Sequence, residues 1–102
     1  MGINVGRYSF EGPYTSTASL EDRAGVYAIH CKKDGKYYLL DVGESAKVKT
    51  RVENHDRKDC WQRNCNGTIT YSAYYTPNLQ QQDRIQIEQE IRDKYHPPCG
   101  KA

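Results

Sequence analysis

Residues 25–43 read GVYAIHCKKDGKYYLLDVG and contain two runs rich in β-forming side chains. The Asp34-Gly35 pair lies between the runs, and an Asp-Gly pair flanked by apolar segments is the strongest short-range signal for a β-hairpin. We therefore expect an antiparallel hairpin in which residues 26–31 pair with residues 36–42.

The segment after the hairpin predicts a short helix over Ala46–His55. Val48 and Val52 are spaced i, i+4 there, which is the spacing of a buried helical face. Arg51 and His55 are likewise four residues apart, so we expect their side chains on one face of that helix.

A third strand and a second helix complete the pattern. Thr68–Thr76 is rich in β-branched and aromatic residues, which favours a strand. The last helix should run to about Tyr95, because Ile87, Ile91 and Tyr95 are spaced four residues apart and share one helical face.

The remaining segments have weaker patterns. Residues 1–24 are rich in turn formers and are read as an irregular lead-in, with at most a short strand around Arg7–Phe10. The domain over residues 25–102 then has the order β-β-α-β-α. This order favours an α+β fold in which helices flank a small, three-stranded, mainly antiparallel sheet.

Composition limits the class of protein. The chain has 102 residues, enough for one domain, with a formal net charge of +2 and nine tyrosines that supply apolar area for a thin core. No apolar run approaches the length that spans a bilayer, and the N-terminus lacks a signal-peptide pattern. These features predict a cytoplasmic protein without a membrane partner.

The cysteines do not form a close metal-binding pair. In a chain without a leader, four cysteines lacking CxxC spacing are most simply reduced thiols. Disulfides are one alternative, and the other is a zinc site assembled from scattered residues, namely Cys60, Cys65, Cys99 and either His30 or His96.

Two tripeptides carry a resemblance to a known family. Gly25-Val26-Tyr27 and Asp41-Val42-Gly43 resemble the two halves of the signature of the GIY-YIG nucleases. That family has an arginine on its first helix, which in the excision-repair endonuclease subunit lies eight residues after the second glycine. Here that residue is Arg51.

Two further residues extend the resemblance. Members similar to the homing endonucleases add a histidine one helical turn after the arginine, where His55 lies. The family's metal-binding glutamate is found about nine residues before a proline, and Glu88 precedes Pro97 by that spacing. The resemblance covers roughly residues 25–100.

Two positions depart from the family pattern. Asp41 replaces the tyrosine of the second motif, and Gly100 stands where the family often has asparagine. The nearest alternative tyrosines are Tyr37 and Tyr38. The Asp41 change leaves open an altered active site, an inactive one, or a carboxylate that supports its neighbours.

The resemblance implies an endonuclease that hydrolyses DNA phosphodiester bonds. Tyr27, aided by His55, would orient or deprotonate the attacking water, and Arg51 would hold a phosphate oxygen through its planar fork. Glu88 would bind one Mg²⁺ or Mn²⁺, which prefer oxygen ligands and stabilise the leaving oxygen. Gly43 marks the second motif.

The segment from 45 to 66 has more basic than acidic residues and is compatible with a phosphate-facing surface. Besides Arg51, its basic side chains are those of Lys47, Lys49, Arg57, Lys58 and Arg63. One site cleaves one strand at a time, so cutting a duplex requires a homodimer or two sequential nicks.

Each site residue also has a structural explanation. Arg51 could pair with a surface carboxylate, and His55 could lie against the carboxyl end of the first helix. Glu88 lies four residues from both Arg84 and Arg92, which suits ion pairs along a helix. Tyr27 could fill the core and Asp41 could stabilise a turn. On these explanations the chain is a catalytically impaired nucleic-acid-binding module or a small structural protein.

Overall fold

The computed structural model describes residues 2–100, which form five strands, three α-helices and one short 3₁₀ turn. In chain order the elements are β1 (Gly2–Val5), β2 (Tyr8–Tyr14), the 3₁₀ turn (Thr17–Ser19), β3 (Gly25–Lys33), β4 (Lys36–Ser45), α1 (Val48–Glu53), α2 (Lys58–Arg63), β5 (Thr68–Tyr75) and α3 (Gln81–Tyr95). The strands make one antiparallel sheet in the order β1-β2-β5-β3-β4.

The predicted hairpin, the third strand and the last helix are present, and the α+β class is confirmed. The sheet is larger than the three strands expected. Residues 2–14 are not an irregular lead-in: they form β1 and β2, and β2 pairs with β5. Val5 and Phe10 are buried there, but turn formers such as Gly6 and Pro13 conceal the alternation in the sequence.

Helices cover both faces of the sheet at β3. α1 and α2 pack on one face, where Val52 and Trp61 join Tyr27 and Ile29 in a buried cluster. α3 packs on the opposite face through residues that join Val26, Ala28 and Val42, namely Ile87 and Ile91. Because alternate side chains of β3 point to opposite faces, its run from Gly25 to Cys31 is buried throughout.

The helical region differs from the prediction in two ways. α1 ends at Glu53, so His55 lies in the loop after the helix and not one turn along it. The polar stretch that follows contains α2, whose only buried residue is Trp61. A two-turn helix anchored by a single large side chain has no apolar periodicity to reveal it.

The prediction of reduced cysteines is wrong. Cys31 is bonded to Cys65 and Cys60 to Cys99, so no cysteine among the described residues is free to bind zinc. The bonds join the α2 region to β3 on one side and to the segment after α3 on the other. The pairing depends on tertiary proximity, because the partners are 34 and 39 residues apart in sequence.

Among residues 2–100 no helix is long and apolar enough to cross a membrane.

Candidate active site

Tyr27 lies across Gly43, its cross-strand partner in β3 and β4. A Cβ atom on residue 43 would overlap the hydroxyl and ring of Tyr27, so only glycine leaves room for this side chain. The two motifs are therefore directly opposed in the sheet, and the glycine of the second motif receives the tyrosine of the first.

His55 contacts the Tyr27 hydroxyl from the loop after α1. Its Nε2 lies 2.6 Å from Tyr27 Oη, and the two rings meet edge to face. Nδ1 accepts a hydrogen bond from the backbone N–H of Arg57 at 3.1 Å. In the neutral ring an accepting Nδ1 leaves the proton on Nε2, so His55 donates to Tyr27.

Both side chains are held in their uncharged forms at neutral pH. Burial is the main cause that raises the pKa of Tyr27 to about 12, and the Asp41 carboxylate adds to it. Burial also lowers the pKa of His55 to about 4, helped by the positive charges of Arg57 and Arg51. The pair at the centre of the site is a phenol and a neutral imidazole.

Arg51 and Glu88 both act electrostatically on Tyr27. After burial, Asp41 and Arg57, they are the next charges that act on the pKa of Tyr27, which Arg51 lowers and Glu88 raises. Tyr27 is 2% exposed and His55 5%. The side chains of Arg51 and Glu88 are 39% and 23% exposed, so they form the part of the group that a large ligand can reach.

Both charged residues have ion-pair partners. Arg51 Nη2 lies 3.3 Å from the exposed Asp56 carboxylate, a weak surface pair. Glu88 Oε2 accepts from Arg92 Nε at 3.1 Å. Arg84, the other candidate partner of Glu88, is instead paired with Glu44.

Asp41 is fully buried and accepts hydrogen bonds from three other side chains. Its Oδ2 accepts from Arg57 Nε and from Trp61 Nε1, each at 2.8 Å. Its Oδ1 accepts from Arg92 Nη2 at 2.8 Å and from the backbone N–H of Val42. The carboxylate is therefore directed toward α2 and α3 and supports its neighbours.

A bulge in β4 gives Asp41 this orientation. Ile29 pairs with Asp41 and His30 with Leu39, so Leu40 is an extra residue on β4. Leu40 packs in the same cluster as Trp61, and Asp41 also reaches Trp61. The side chains of the consecutive residues Leu40 and Asp41 thus point to the same face of the sheet, which the regular alternation of a strand does not allow.

The basic residues expected to contact nucleic acid do not share one role. Arg57 donates to Asp41, and although burial lowers its pKa, the bonded carboxylate outweighs this and raises it. Lys58 Nζ donates to the carbonyl of Glu53. The side chains of Lys47 and Arg63 are exposed and that of Lys49 is partly exposed.

Sequence reasoning missed Arg92, Trp61 and the contact role of Gly100. Arg92 appeared only as an ion-pair partner in a helix, whereas its side chain is 5% exposed and links Glu88 to Asp41. A Cβ atom on Gly100 would lie 2.6 Å from Arg92 Nη2 and 2.8 Å from Arg57 Nε. The available signal was the position of Arg92 next to Ile91, which the isoleucine spacing placed on the buried face of α3.

The donor set fits a metal ion only through a single carboxylate. Among residues 2–100 no group of three or more histidine, cysteine, aspartate or glutamate side chains is arranged to hold a metal ion. Glu88 Oε1 accepts no hydrogen bond from these residues, whereas Oε2 is engaged by Arg92. One free carboxylate oxygen suits Mg²⁺, which keeps several waters and takes further oxygens from substrate phosphates.

Comparison with known proteins supports the fold. No family model matches the sequence, and no curated protein matches it. Among solved structures, it is similar to the GIY-YIG N-terminal endonuclease domain of UvrC from Thermotoga maritima, a point mutant bound to its catalytic divalent cation. The TM-score is 0.59 at 13% sequence identity, over 84% of this chain and 91% of that one. The chain therefore has a GIY-YIG-like, nuclease-like fold.

Proposed function

We propose that this protein is a divalent-metal-dependent endonuclease that hydrolyses DNA phosphodiester bonds. The observation that carries the proposal is the Tyr27–His55 pair, whose Oη and Nε2 atoms lie 2.6 Å apart beside the glycine of the second motif. The four residues come from β3, α1, the loop after α1 and α3. In this proposal the four side chains serve one site, and residue types of this kind brought together from separate elements are characteristic of catalytic sites.

Tyr27 and His55 position the attacking water. With His55 donating to Oη, the phenol O–H of Tyr27 is free to donate to a water or a phosphate oxygen. A hydroxyl with a pKa of about 12 is a poor base at neutral pH, so Tyr27 acts mainly by orientation. Both residues are nearly fully buried, so this role requires the side chains around them to open when the substrate binds.

Arg51 and Glu88 meet the substrate at the surface. The Arg51 guanidinium offers a nonbridging phosphate oxygen a positive charge and a planar set of donors, and it leaves its weak pair with Asp56 to do so. Glu88 would hold Mg²⁺ or Mn²⁺ through Oε1. Such an ion, when bound, supplies positive charge that stabilises the leaving oxygen.

DNA is the substrate class that the fold and charges favour. Lys47, Lys49 and Arg63 lie on the α1–α2 side of the site and are available for phosphate contacts, which position a duplex without reading its sequence. One site per chain nicks one strand, so a double-strand break needs a homodimer or two sequential events.

Plasmid nicking tests the proposal. Wild-type protein with Mg²⁺ or Mn²⁺ should convert supercoiled plasmid to the nicked form, and Glu88→Gln should abolish this. Glu90→Gln is the matched control, because Glu90 lies on the same helix but bonds to Arg7 and Tyr8 at the surface. Equal activity of Glu88→Gln and wild type would refute the assignment.

The burial of Tyr27 favours one rival, a DNA-binding module on the same fold without catalysis. Tyr27 as a residue is only 2% exposed, so contact between its hydroxyl and a substrate requires its surroundings to open. The rival predicts DNA binding by wild-type protein with no nicking in either metal. The same plasmid assay, run beside a DNA-affinity measurement, separates the two functions.

A further inference from the structure

We propose that Arg92 is a positioning residue for Glu88 and that Asp41 is the anchor that holds Arg92 in place. The inference rests on the proposed metal-dependent nuclease function. It assigns a role to the residue that replaces the second signature tyrosine, and to an arginine on α3 that the family resemblance does not include.

The Arg92 guanidinium is fixed in all directions. Nε donates to Glu88, Nη2 donates to Asp41 and to the carbonyl of Val42, and Nη1 donates to the carbonyls of Cys99 and Gly100. A guanidinium has five N–H donors, and here each has an acceptor. Its rotamer is therefore determined by the fold, unlike that of an arginine on a helix surface.

This fixed arginine restrains the glutamate. An exposed i, i+4 ion pair joins two mobile side chains and contributes little. Arg92 is 5% exposed and cannot follow Glu88, so Glu88 must adopt the rotamer that meets Nε. With Oε2 engaged, Oε1 is the oxygen left for a metal ion. A site with one protein carboxylate depends strongly on such orientation, because few other protein ligands correct an error.

Asp41 completes the arrangement from the opposite side. It accepts a hydrogen bond at 2.8 Å from the buried Arg92 and from the partly buried Arg57, so two cations share its single negative charge. A tyrosine at residue 41 would offer these two cations no charge. Holding the buried guanidinium of Arg92 beside the partly buried one of Arg57 requires a nearby anion, and Asp41 is the anion that contacts both.

Gly100, the second departure from the family pattern, lies next to the arginines that bond to Asp41, the first departure. Gly100 lies against the guanidinium groups of Arg92 and Arg57, so any side chain there would displace them. Its φ of +69° also favours glycine. Asp41 and Gly100 thus both serve to hold the Arg92 guanidinium in place. Neither departure from the family pattern is then evidence that the site has lost its function.

Arg92→Lys tests the role of the arginine, with Arg84→Lys as the matched control. Arg84 lies on the same face of α3 and makes a similarly buried pair, from its Nε to Glu44 Oε1 at 2.9 Å. Both variants keep the positive charge and lose the planar fork, but only Arg92→Lys removes a contact to Glu88. Because Arg92 makes five hydrogen bonds and Arg84 one, the unfolding free energy of both variants is measured as well, and metal binding is compared under conditions in which both are folded.

The decisive readout is the response to metal. Mn²⁺ binding is followed through the free-ion electron paramagnetic resonance signal, with duplex DNA and a Tyr27→Phe background to prevent turnover. We expect Arg92→Lys to weaken Mn²⁺ binding by about 10-fold or more, as for residues that orient metal ligands. Asp41→Asn should weaken it in the same direction, and Arg84→Lys should leave it within about 2-fold.

Equal Mn²⁺ affinity in Arg92→Lys and Arg84→Lys would overturn the inference. Should the variants not fold, the nitrogen NMR signal of Arg92 Nε in wild-type protein provides the test, since it should shift when Mg²⁺ and DNA are added together. An unmoved signal in protein that binds both would also overturn it. If wild type neither nicks plasmid nor gains Mn²⁺ affinity with DNA, the proposed function itself fails.

Discussion

Trp61 Nε1 donates a hydrogen bond of 2.8 Å to Oδ2 of Asp41, so the Asp41 side chain is directed into the protein toward α2. The carboxylate has no exposed surface. Its role is to hold Trp61 and two arginines in place, and this decides how substitutions at residue 41 should behave.

Asp41→Asn should destabilise the protein and should not improve DNA binding. Removing the buried anion leaves Arg57 and Arg92 without their shared counter-charge, and breaking a buried ion pair costs about 3–5 kcal/mol. Urea denaturation measures the loss in unfolding free energy, and a gel-shift assay measures DNA affinity. Tighter DNA binding together with faster nicking would show that Asp41 instead repels the substrate.

Tyr27→Phe should keep the fold and lose most of the nicking activity. The ring still fills the space over Gly43, but Nε2–H of His55 loses its acceptor, at a cost of about 1–3 kcal/mol. Nicking should fall about 100-fold, a typical effect of removing one positioned proton-transfer or orienting group.

Tyr75→Phe is the control for this loss. The Tyr75 hydroxyl also accepts a hydrogen bond, from the backbone N–H of Glu21 at 2.8 Å, but outside the site. It should cost stability without a comparable loss of nicking. Similar rates for both variants would count against a role for Tyr27 in catalysis.

Stability should fall as the pH is lowered from about 6.5 toward 4. Burial lowers the pKa of both His30 and His55 from 6.5 to about 4. In this window the unfolded chain binds protons that the folded chain does not, so acid favours unfolding. Each histidine contributes on the order of 2–3 kcal/mol over the full window.

Urea denaturation at several pH values above 4.5 measures this effect before most carboxylates titrate. His30→Gln and His55→Gln should each flatten the dependence by removing one of the two groups. A stability that does not change between pH 7.5 and 5 would contradict the neutral, buried state of these rings.

Reduction of the disulfides should destabilise the protein. Each bond closes a loop of more than 30 residues, 34 and 39 apart in sequence, and such cross-links typically stabilise by about 2–4 kcal/mol. Thermal unfolding with and without a reductant measures the loss. An unchanged melting temperature after verified reduction would contradict this.

The two disulfides should differ in their effect on the site. Cys99 and Gly100 provide carbonyl acceptors for Arg92, which contacts Glu88. The Cys60→Ser/Cys99→Ser double variant should therefore also lower the part of the nicking rate that requires Glu88. The Cys31→Ser/Cys65→Ser variant is the control with a comparable loop. Structural disulfides persist in oxidising compartments and are reduced in reducing ones. Nicking should therefore be measured both with and without a reductant.

Lys47→Ser and Arg63→Ser should weaken DNA binding and its salt dependence together. Each phosphate contact that is lost lowers the slope of log K against log salt by about 0.9. Arg57→Ser should act differently, by loss of stability, because its guanidinium is bonded to Asp41. Lys94→Ser on α3 is the surface control and should leave DNA affinity unchanged. If Lys94→Ser weakens DNA binding as much as Lys47→Ser does, the DNA does not bind specifically on the α1–α2 side.

Local chemistry was sufficient to predict the hairpin, β5 and α3. The Asp34-Gly35 turn, the β-branched and aromatic residues of Thr68–Tyr75, and the isoleucine spacing of α3 each specify their element within a few residues. β1 and α2 were not predicted, and β2 only as a possible short strand around Arg7–Phe10, because each is held by one or two buried side chains whose partners lie far along the chain.

The residues of the candidate site were identified from spacing, but their arrangement depends on the tertiary structure. Sequence indicated Tyr27, Arg51, His55 and Glu88 through a resemblance, and no spacing predicts that His55 leaves the helix or that Tyr27 is buried over Gly43. The direction of Asp41 depends on a one-residue bulge, and its partners Arg57, Trp61 and Arg92 are 16, 20 and 51 positions away. Hydrogen bonds and ion pairs between distant residues form only after the backbone has brought them together, so the pairing of charges and cysteines was decided by the fold alone.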